Sequence, residues 1–515
     1  PSGLITVRLF DDETDQPTAA RIYLSDELGP ARPSGAAIRR DRHGNAYFYA
    51  DQGFEARVSG QTRLTIARGI EYEPAELEIE IRSEEHADLA VRLTRWSHMA
   101  TEGWRSGDVH VHLHYGGEYR LTPADAALAQ RAEDVGFLNM MVANWRSGWV
   151  HDYSHFQGEP HRLSDRDHIL QWGEEYRNDF YGHLCLFGIE ELVPPIYSGF
   201  PFSEHPHDSP ANAEAAAHAH RVGGRVSYAH PMFDGTELDR VFQRARTFEA
   251  KELPVDAVLG DIDAVDIMSY PADNLETARL WYRLLNCGLR LAATAGTDTF
   301  MNMVDGAQSV MGARGRKMTS PVAGDRVFAK IDGGFTTDSF AAAVGAGRTF
   351  VTNGPMLTLT VEGRRIGDRI EARPGDRLRV EAAARSHLPM DRIELIVNGR
   401  VTASTEAVET GQRAGLRHQL TVTESCWIAL RALGPAHPLV LDESLFAHTS
   451  PIYVDAEGQP VASAEDAAYF VEWIDRLCAM AEETGRYATD EDRDTIIELF
   501  REAQQRYREL PNGPL

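Results

Sequence analysis

The period of the hydrophobic pattern changes three times along this chain, and that succession restricts its fold more than any other feature. Up to about residue 95, apolar and polar residues alternate in GLITVRLF, ARIYLS, AYFYA, TRLTIA, AELEIEI and LAVRLTRW. Period two, broken by Gly, Asp and Pro, is the pattern of half-buried strands and predicts a small antiparallel β-sandwich over residues 1–100. From about Gly103, helical and strand patterns take turns. Thr122-Pro123-Ala124-Asp125 opens a helix, with Thr as N-cap, Pro in the first turn and Asp near the positive end. The pattern of helix, Gly stop, buried strand and polar tip then recurs in NAEAAAHAHRVGG with RVSYAHP, and in ETARLWYRLLNCG with LRLAATAGTD. That is the texture of a parallel α/β fold, expected over residues 101–355. Alternation returns in MLTLTV, RLRVEA, IELIVNG, HQLTV and CWIALRA, predicting a second β-sandwich over 356–457. Residues 458–515 read as a helical tail. Ser463 and Thr489 are N-caps, Gly485 separates two helices, and Phe470, Trp473, Ile474 and Leu477 form a packing stripe. The expected protein is therefore multidomain α/β + β.

Length supports this division, since 515 residues exceed what one core serves. The formal net charge of −26 argues against nucleic acid and anionic membranes as partners. No apolar run approaches the ~20 residues that span a bilayer. The expected setting is soluble, cytoplasmic or periplasmic: no signal peptide is visible, but a chain that starts at Pro1 is compatible with a removed leader, so its absence says little about compartment. Cys185, Cys287, Cys426 and Cys478 show no C-x-x-C spacing and are expected as buried, reduced thiols.

The chemistry-bearing residues gather in the middle segment. In Asp108-Val-His110-Val-His112-Leu-His114, alternation places the three histidines on one face of an extended strand. Two imidazoles from one strand end can grip one metal ion. Later strand-like runs end on, or adjoin, further ligand types: Glu174-Glu175, His183, His230 and Asp298. In parallel α/β folds functional residues collect at the C-terminal ends of strands. A His pair, a Glu, two further His and an Asp suit two divalent ions sharing a carboxylate.

In order, DVHVH, GEE followed by GH, AHP and GTD, continued by RTFVTNGP, resemble the polymerase and histidinol phosphatase (PHP) superfamily. Within it they resemble the CehA/McbA-type metallohydrolases, named for carbaryl hydrolysis. The resemblance covers about residues 103–355 and, more loosely, a flanking β domain. It implies a distorted (βα)7 PHP-type barrel with metals at its C-terminal mouth, flanked by the two sandwiches and the helical tail. It implies that His110 and His112 bind the first metal, that Glu175 rather than Glu174 bridges, that His183 and His230 bind the second, and that Asp298 completes the first. Three-metal relatives carry three more histidines. Here those positions fall near Glu118, at Asn144-Trp145 and at Phe300. The implied centre is dinuclear, with zinc first and manganese or iron as alternatives. Glu118 or His114 would be the ligands of a third ion.

A two-metal site suits attack by a bridging hydroxide on the carbonyl of an ester, carbamate or amide in a small molecule, with Asp298 handling the proton. The alternatives are a phosphoesterase on the same barrel and a non-catalytic, metal-containing binding protein. The expected pocket draws on His114, Tyr115, Glu118, Asn144, Trp145, Tyr228 and Phe300. The aromatic insert after the second strand, with Trp149, His151 and His155, is a candidate lid, and Met232 and Phe233 are candidate lining. His205 and His207 repeat the H-x-H spacing on a Pro-rich loop, outside strand context. The end helices and sandwich edges offer surfaces for a homodimer, though nothing in the sequence demands one.

Overall fold

A computed structural model describes residues 2–40, 45–115, 120–143, 150–233, 236–303, 320–441 and 443–510. It is a mixed α/β, sheet-rich chain of several layers. The N-terminal alternation forms two facing sheets. Gly3–Asp11, Gly53–Val58 and His86–Leu93 make one; Ala20–Asp26, Ala46–Ala50, Gly60–Ala67 and Ala75–Ile81 carry the other. Ile5, Val7 and Leu9 from the first meet Ile22, Leu24, Phe48, Leu64 and Ile66 from the second in one core. Gly3–Asp11 runs parallel to His86–Leu93. That pairing joins the two ends of the unit and departs from the all-antiparallel expectation.

Seven strands carry the site: β1 (Trp104–His112), β2 (Phe137–Val142), β3 (Ile169–Asn178), β4 (Gly182–Phe187), β5 (Arg225–Tyr228), β6 (Ala264–Met268) and β7 (Ala292–Ala295). Pairing is parallel between β1 and β2, β2 and β3, β5 and β6, and β6 and β7. β4 is antiparallel to both β3 and β5, which corrects the expected parallel scheme. Only Asp179, Phe180 and Tyr181 separate β3 from β4. A parallel crossover needs a dozen or more residues, so the chain turns back as a hairpin. Beyond β7, the short strand β8 (Thr299–Phe300) pairs in parallel with the end of β1. The pairings thus return to their starting strand and close a ring.

Helices cover the outside: α1 (Pro123–Ala132), α2 (Asn212–Arg221), α3 (Leu253–Leu259), α4 (Asn274–Asn286) and α5 (Thr337–Gly345). α1 starts at the expected N-cap, where the Thr122 backbone N–H donates to Asp125 Oδ2 at 2.7 Å. The tail helices α6 (Ala464–Thr484) and α7 (Asp490–Glu509) are capped by Ser463 and Thr489. They do not stand apart. Phe470, Trp473, Ile474 and Leu477 enter the core of the ring, and Trp473 Nε1 donates to Lys251 O at 2.8 Å.

The C-terminal alternation again makes two facing layers, with Leu357, Leu359 and Val380 meeting Ile393, Leu395, Ile428 and Leu430. Hydrogen bonding runs unbroken across the boundary expected at residue 355. Thr349–Thr352 pairs with Arg326–Lys330 on one side and with Glu443–Thr449 on the other. All four cysteines are buried and unpaired. Among the described residues no helix is long and apolar enough to cross a membrane.

Candidate metal centre

The ring gathers six side chains at one rim. β1 delivers His110 and His112 from its last turn of alternation, and β3 delivers Glu175. His183 begins β4, and because β4 is antiparallel its first residues lie at the rim where the parallel strands end. His230 and Asp298 follow β5 and β7 with φ of 30° and 53°. Left-handed backbone is uncommon outside glycine, though His and Asp are enriched among the exceptions, and it concentrates at functional sites.

The nitrogens and oxygens of this cluster face one another. His110 Nε2 and His112 Nε2 are 3.1 Å apart. Two nitrogens held tetrahedrally at about 2.05 Å from one zinc ion would stand roughly 3.3 Å apart. Asp298 Oδ1 is 3.1 Å from His112 Nε2 and 3.3 Å from His110 Nε2. Glu175 Oε2 lies 3.4 Å from His112 Nε2, whereas Oε1 lies 2.8 Å from His183 Nδ1 and 3.8 Å from His230 Nε2. The carboxylate therefore spans two ligand groups. His110, His230 and Asp298 form one set of donors compact enough for an ion, His110, His112 and Glu175 a second, Glu175, His183 and His230 a third, and His110, Cys185 and Asp266 a fourth.

The charges fit a cation. Against burial, Arg177 and His183 hold Glu175 well below the usual carboxylate range. Asp298 is lowered by His110 and His112, again against burial. Burial opposes charge on His110, but Asp298 and Glu175 outweigh it and raise the imidazole to about 9. His183 is raised in the same way by Glu175 and Asp179. Burial dominates at His112 and His230, which are lowered. The carboxylates thus draw positive charge onto His110 and His183, and Glu175 Oε2 is buried with no hydrogen-bond partner. A divalent ion in place of those protons would partner both carboxylates and that oxygen, so the residues present fit a metal.

The ring is held shut beside the centre by Asp108. It accepts from the Thr297 backbone at 3.0 Å, the Thr297 hydroxyl at 2.6 Å, the His110 backbone at 3.1 Å and the Ala323 backbone at 2.8 Å. Gly296 permits the approach: a Cβ there would meet His110 Cβ at 2.3 Å.

The expected pocket residues divide. Tyr115 and Phe300 flank the centre, the Tyr115 ring 4.2 Å from His112 and from Phe300. Phe233 lies 5.9 Å from His230. Met232 is buried. His114 does not share the face of His110 and His112, because β1 ends at His112 and regular alternation ends with it. Its Nδ1 is 2.7 Å from Asp152 and its Nε2 accepts from the Leu121 backbone at 3.0 Å, so both ring nitrogens are engaged away from the centre. His151 packs on His114, and His155 on Trp172. Tyr228 points into the core, where its hydroxyl donates to Asp256 at 2.5 Å. His205 and His207 join no ligand cluster among the described residues. Glu174 faces away from Glu175, accepts from the Val193 backbone at 2.7 Å, and is pushed by burial up to about 8. Glu118, Asn144, Trp145 and Trp149 lie outside the described residues.

Sequence reasoning missed several neighbours. Asp179 Oδ1 is 3.0 Å from His183 Nε2. Arg177 is buried between the rings of Tyr115 and Phe200, with Nε 3.6 Å from Glu175. Phe248 packs on His183. Asp266 and Cys185 lie within reach of His110. An aspartate inside the apolar run AVDIM was the available signal for Asp266.

No family model and no curated protein matches the chain. Among solved structures, β-glucuronidase of Parabacteroides merdae aligns at 10% identity with a TM-score of 0.19. The alignment covers 86% of this chain and 61% of that one. A superposition so loose carries no argument about fold or activity.

Proposed function

We propose that this chain is a metal-dependent hydrolase of the PHP superfamily, of the CehA/McbA type, and that its closed ring is a distorted (βα)7 PHP-type barrel. The observation that carries this reading is the convergence of His110, His112, Glu175, His183, His230 and Asp298 in one buried cluster. His110, His112 and Asp298 would hold one divalent ion and His183 and His230 a second, with Glu175 between them. Such ions, zinc first and manganese or iron next, supply water of lowered pKa and polarise a substrate oxygen.

The protein's own groups do the rest. Asp298 is ionised and lies at the rim among the histidines, where it can take the proton of an attacking water and deliver it to the leaving group. Tyr115 and Phe300 present apolar ring surface beside His112. Phe300 stands where three-metal relatives carry a histidine, which favours two ions and a carbonyl ester, carbamate or amide over a phosphate ester. The substrate is then a small molecule.

Elemental analysis should find about two transition-metal ions per chain, and chelation should abolish turnover of aryl esters and carbamates. His112→Ala and Asp298→Ala should remove activity and leave the circular-dichroism spectrum intact. Faster turnover of phosphate esters would reassign the protein as a phosphoesterase. Metal without turnover across the panel would make it a binding protein, and metal-free activity would end the proposal.

A further inference from the structure

Beneath the centre, four neighbouring strands meet in a small polar layer. Asp266 on β6 is fully buried. Its Oδ1 accepts from Ser227 on β5 at 2.6 Å and from Thr294 on β7 at 2.5 Å. Its Oδ2 faces the Cys185 thiol on β4 at 3.7 Å. Hydroxyls and a thiol are neutral donors, and no cation pairs with Asp266 among the described residues. Burial pushes its carboxyl above the usual range, while the Ser227 and Thr294 hydroxyls favour the charged form. One Asp266 oxygen lies within 4.8 Å of a His110 ring nitrogen. His110 carries a buried Nδ1 without a hydrogen-bond partner. A metal-ligating imidazole almost always gives its second N–H to a carboxylate, carbonyl or water, which fixes the ring and strengthens the ligand. His110 Nδ1 lacks such an acceptor, and Asp266, engaged by Ser227, Thr294 and Cys185, is a carboxylate beside it and outside the six-residue cluster.

We propose that Asp266 is a positioning residue of the metal centre, acting through His110 from the layer below. The inference rests on the metal reading above. Ser227, Thr294 and Cys185 hold the carboxylate in place, and its charge orients the His110 imidazole and offsets the charge of the ions.

Chelator competition on the zinc-loaded full chain tests this. Asp266→Asn keeps the shape and the acceptor for both hydroxyls but removes the charge, and zinc affinity should fall about 10- to 100-fold. The cobalt-loaded variant should show shifted visible bands, which a packing role would not move. Should Asp266→Asn not fold, Asp266→Val reads the same quantity. Ser227 and Thr294 hydroxyls are 2.6 Å apart and then satisfy each other. Zinc affinity within twofold of wild type in the folded variant, with unchanged cobalt bands, overturns the role of Asp266 alone. A wild-type chain that takes up no zinc overturns the metal reading, and this inference with it.

Discussion

Gly296→Ala isolates the close contact on which the closed ring depends. Gly296 lies between β7 and Asp298, directly against β1. The added methyl would stand 2.3 Å from His110 Cβ and 3.0 Å from the His110 backbone nitrogen, where ordinary contact begins at 3.4 Å. The obstacle is backbone and Cβ rather than the end of a flexible side chain, so the two segments must part by about 1 Å. That movement stretches the bond from Asp298 N to His110 O, now 2.7 Å, and the two from Thr297 to Asp108. Overpacking of this kind costs about 1–3 kcal/mol. In a unit of this size that lowers the melting midpoint by roughly 2–10 °C. Asp298 moves with the segment, and a misplacement of about 1 Å costs on the order of 100-fold in turnover. Thermal melting, zinc affinity and kcat would be measured on one preparation. A variant that melts with wild type and turns over at an undiminished rate would refute the close-contact argument.

Three further outcomes are expected. Burial and Asp134 push Glu71 up to about 7, since Arg95, 3.5 Å away, is spent on Asp134 at 2.7 Å. The unfolded chain releases that proton at about pH 4.3, so wild-type stability falls as pH rises from there through 7. Glu71→Gln should gain roughly 2–3 kcal/mol relative to wild type across that window in urea titrations, and a pH-independent difference would contradict the assignment. Tyr228→Phe removes the donor to buried Asp256 and should cost about 1–3 kcal/mol in the same assay with KM unchanged, because its hydroxyl faces the core. Chelator-stripped protein should melt lower than zinc-loaded protein, by an amount equivalent to about 2.7 kcal/mol at zinc a hundredfold above Kd. Identical melts with and without zinc would count against a specific site.

Much of this molecule is local and can be read from the chain. Helix starts at Ser463 and Thr489 follow from side chains that accept from the backbone three residues on, and the start at Thr122 from Asp125, whose carboxylate accepts from the Thr122 backbone. The sandwich strands follow from alternation, because each has one wet face. The six ligand candidates could be named because each adjoins a short apolar run. The central strands are different. β2, β3 and β4 are buried on every residue, so alternation disappears and burial cannot separate Glu174 from Glu175, 0% and 1% exposed. Only the register of β3 against β2 and β4 turns Glu175 to the centre and Glu174 away. Tyr228 and His114 were misplaced for a related reason: adjacency to a ligand along the chain does not set direction once a strand ends or a neighbour claims the side chain. The reversal of β4, the parallel pairing of Gly3–Asp11 with His86–Leu93, and the polar layer around Asp266 all join residues distant in sequence. Local periodicity determined which side chains are available for chemistry here; long-range pairing decided which of them meet.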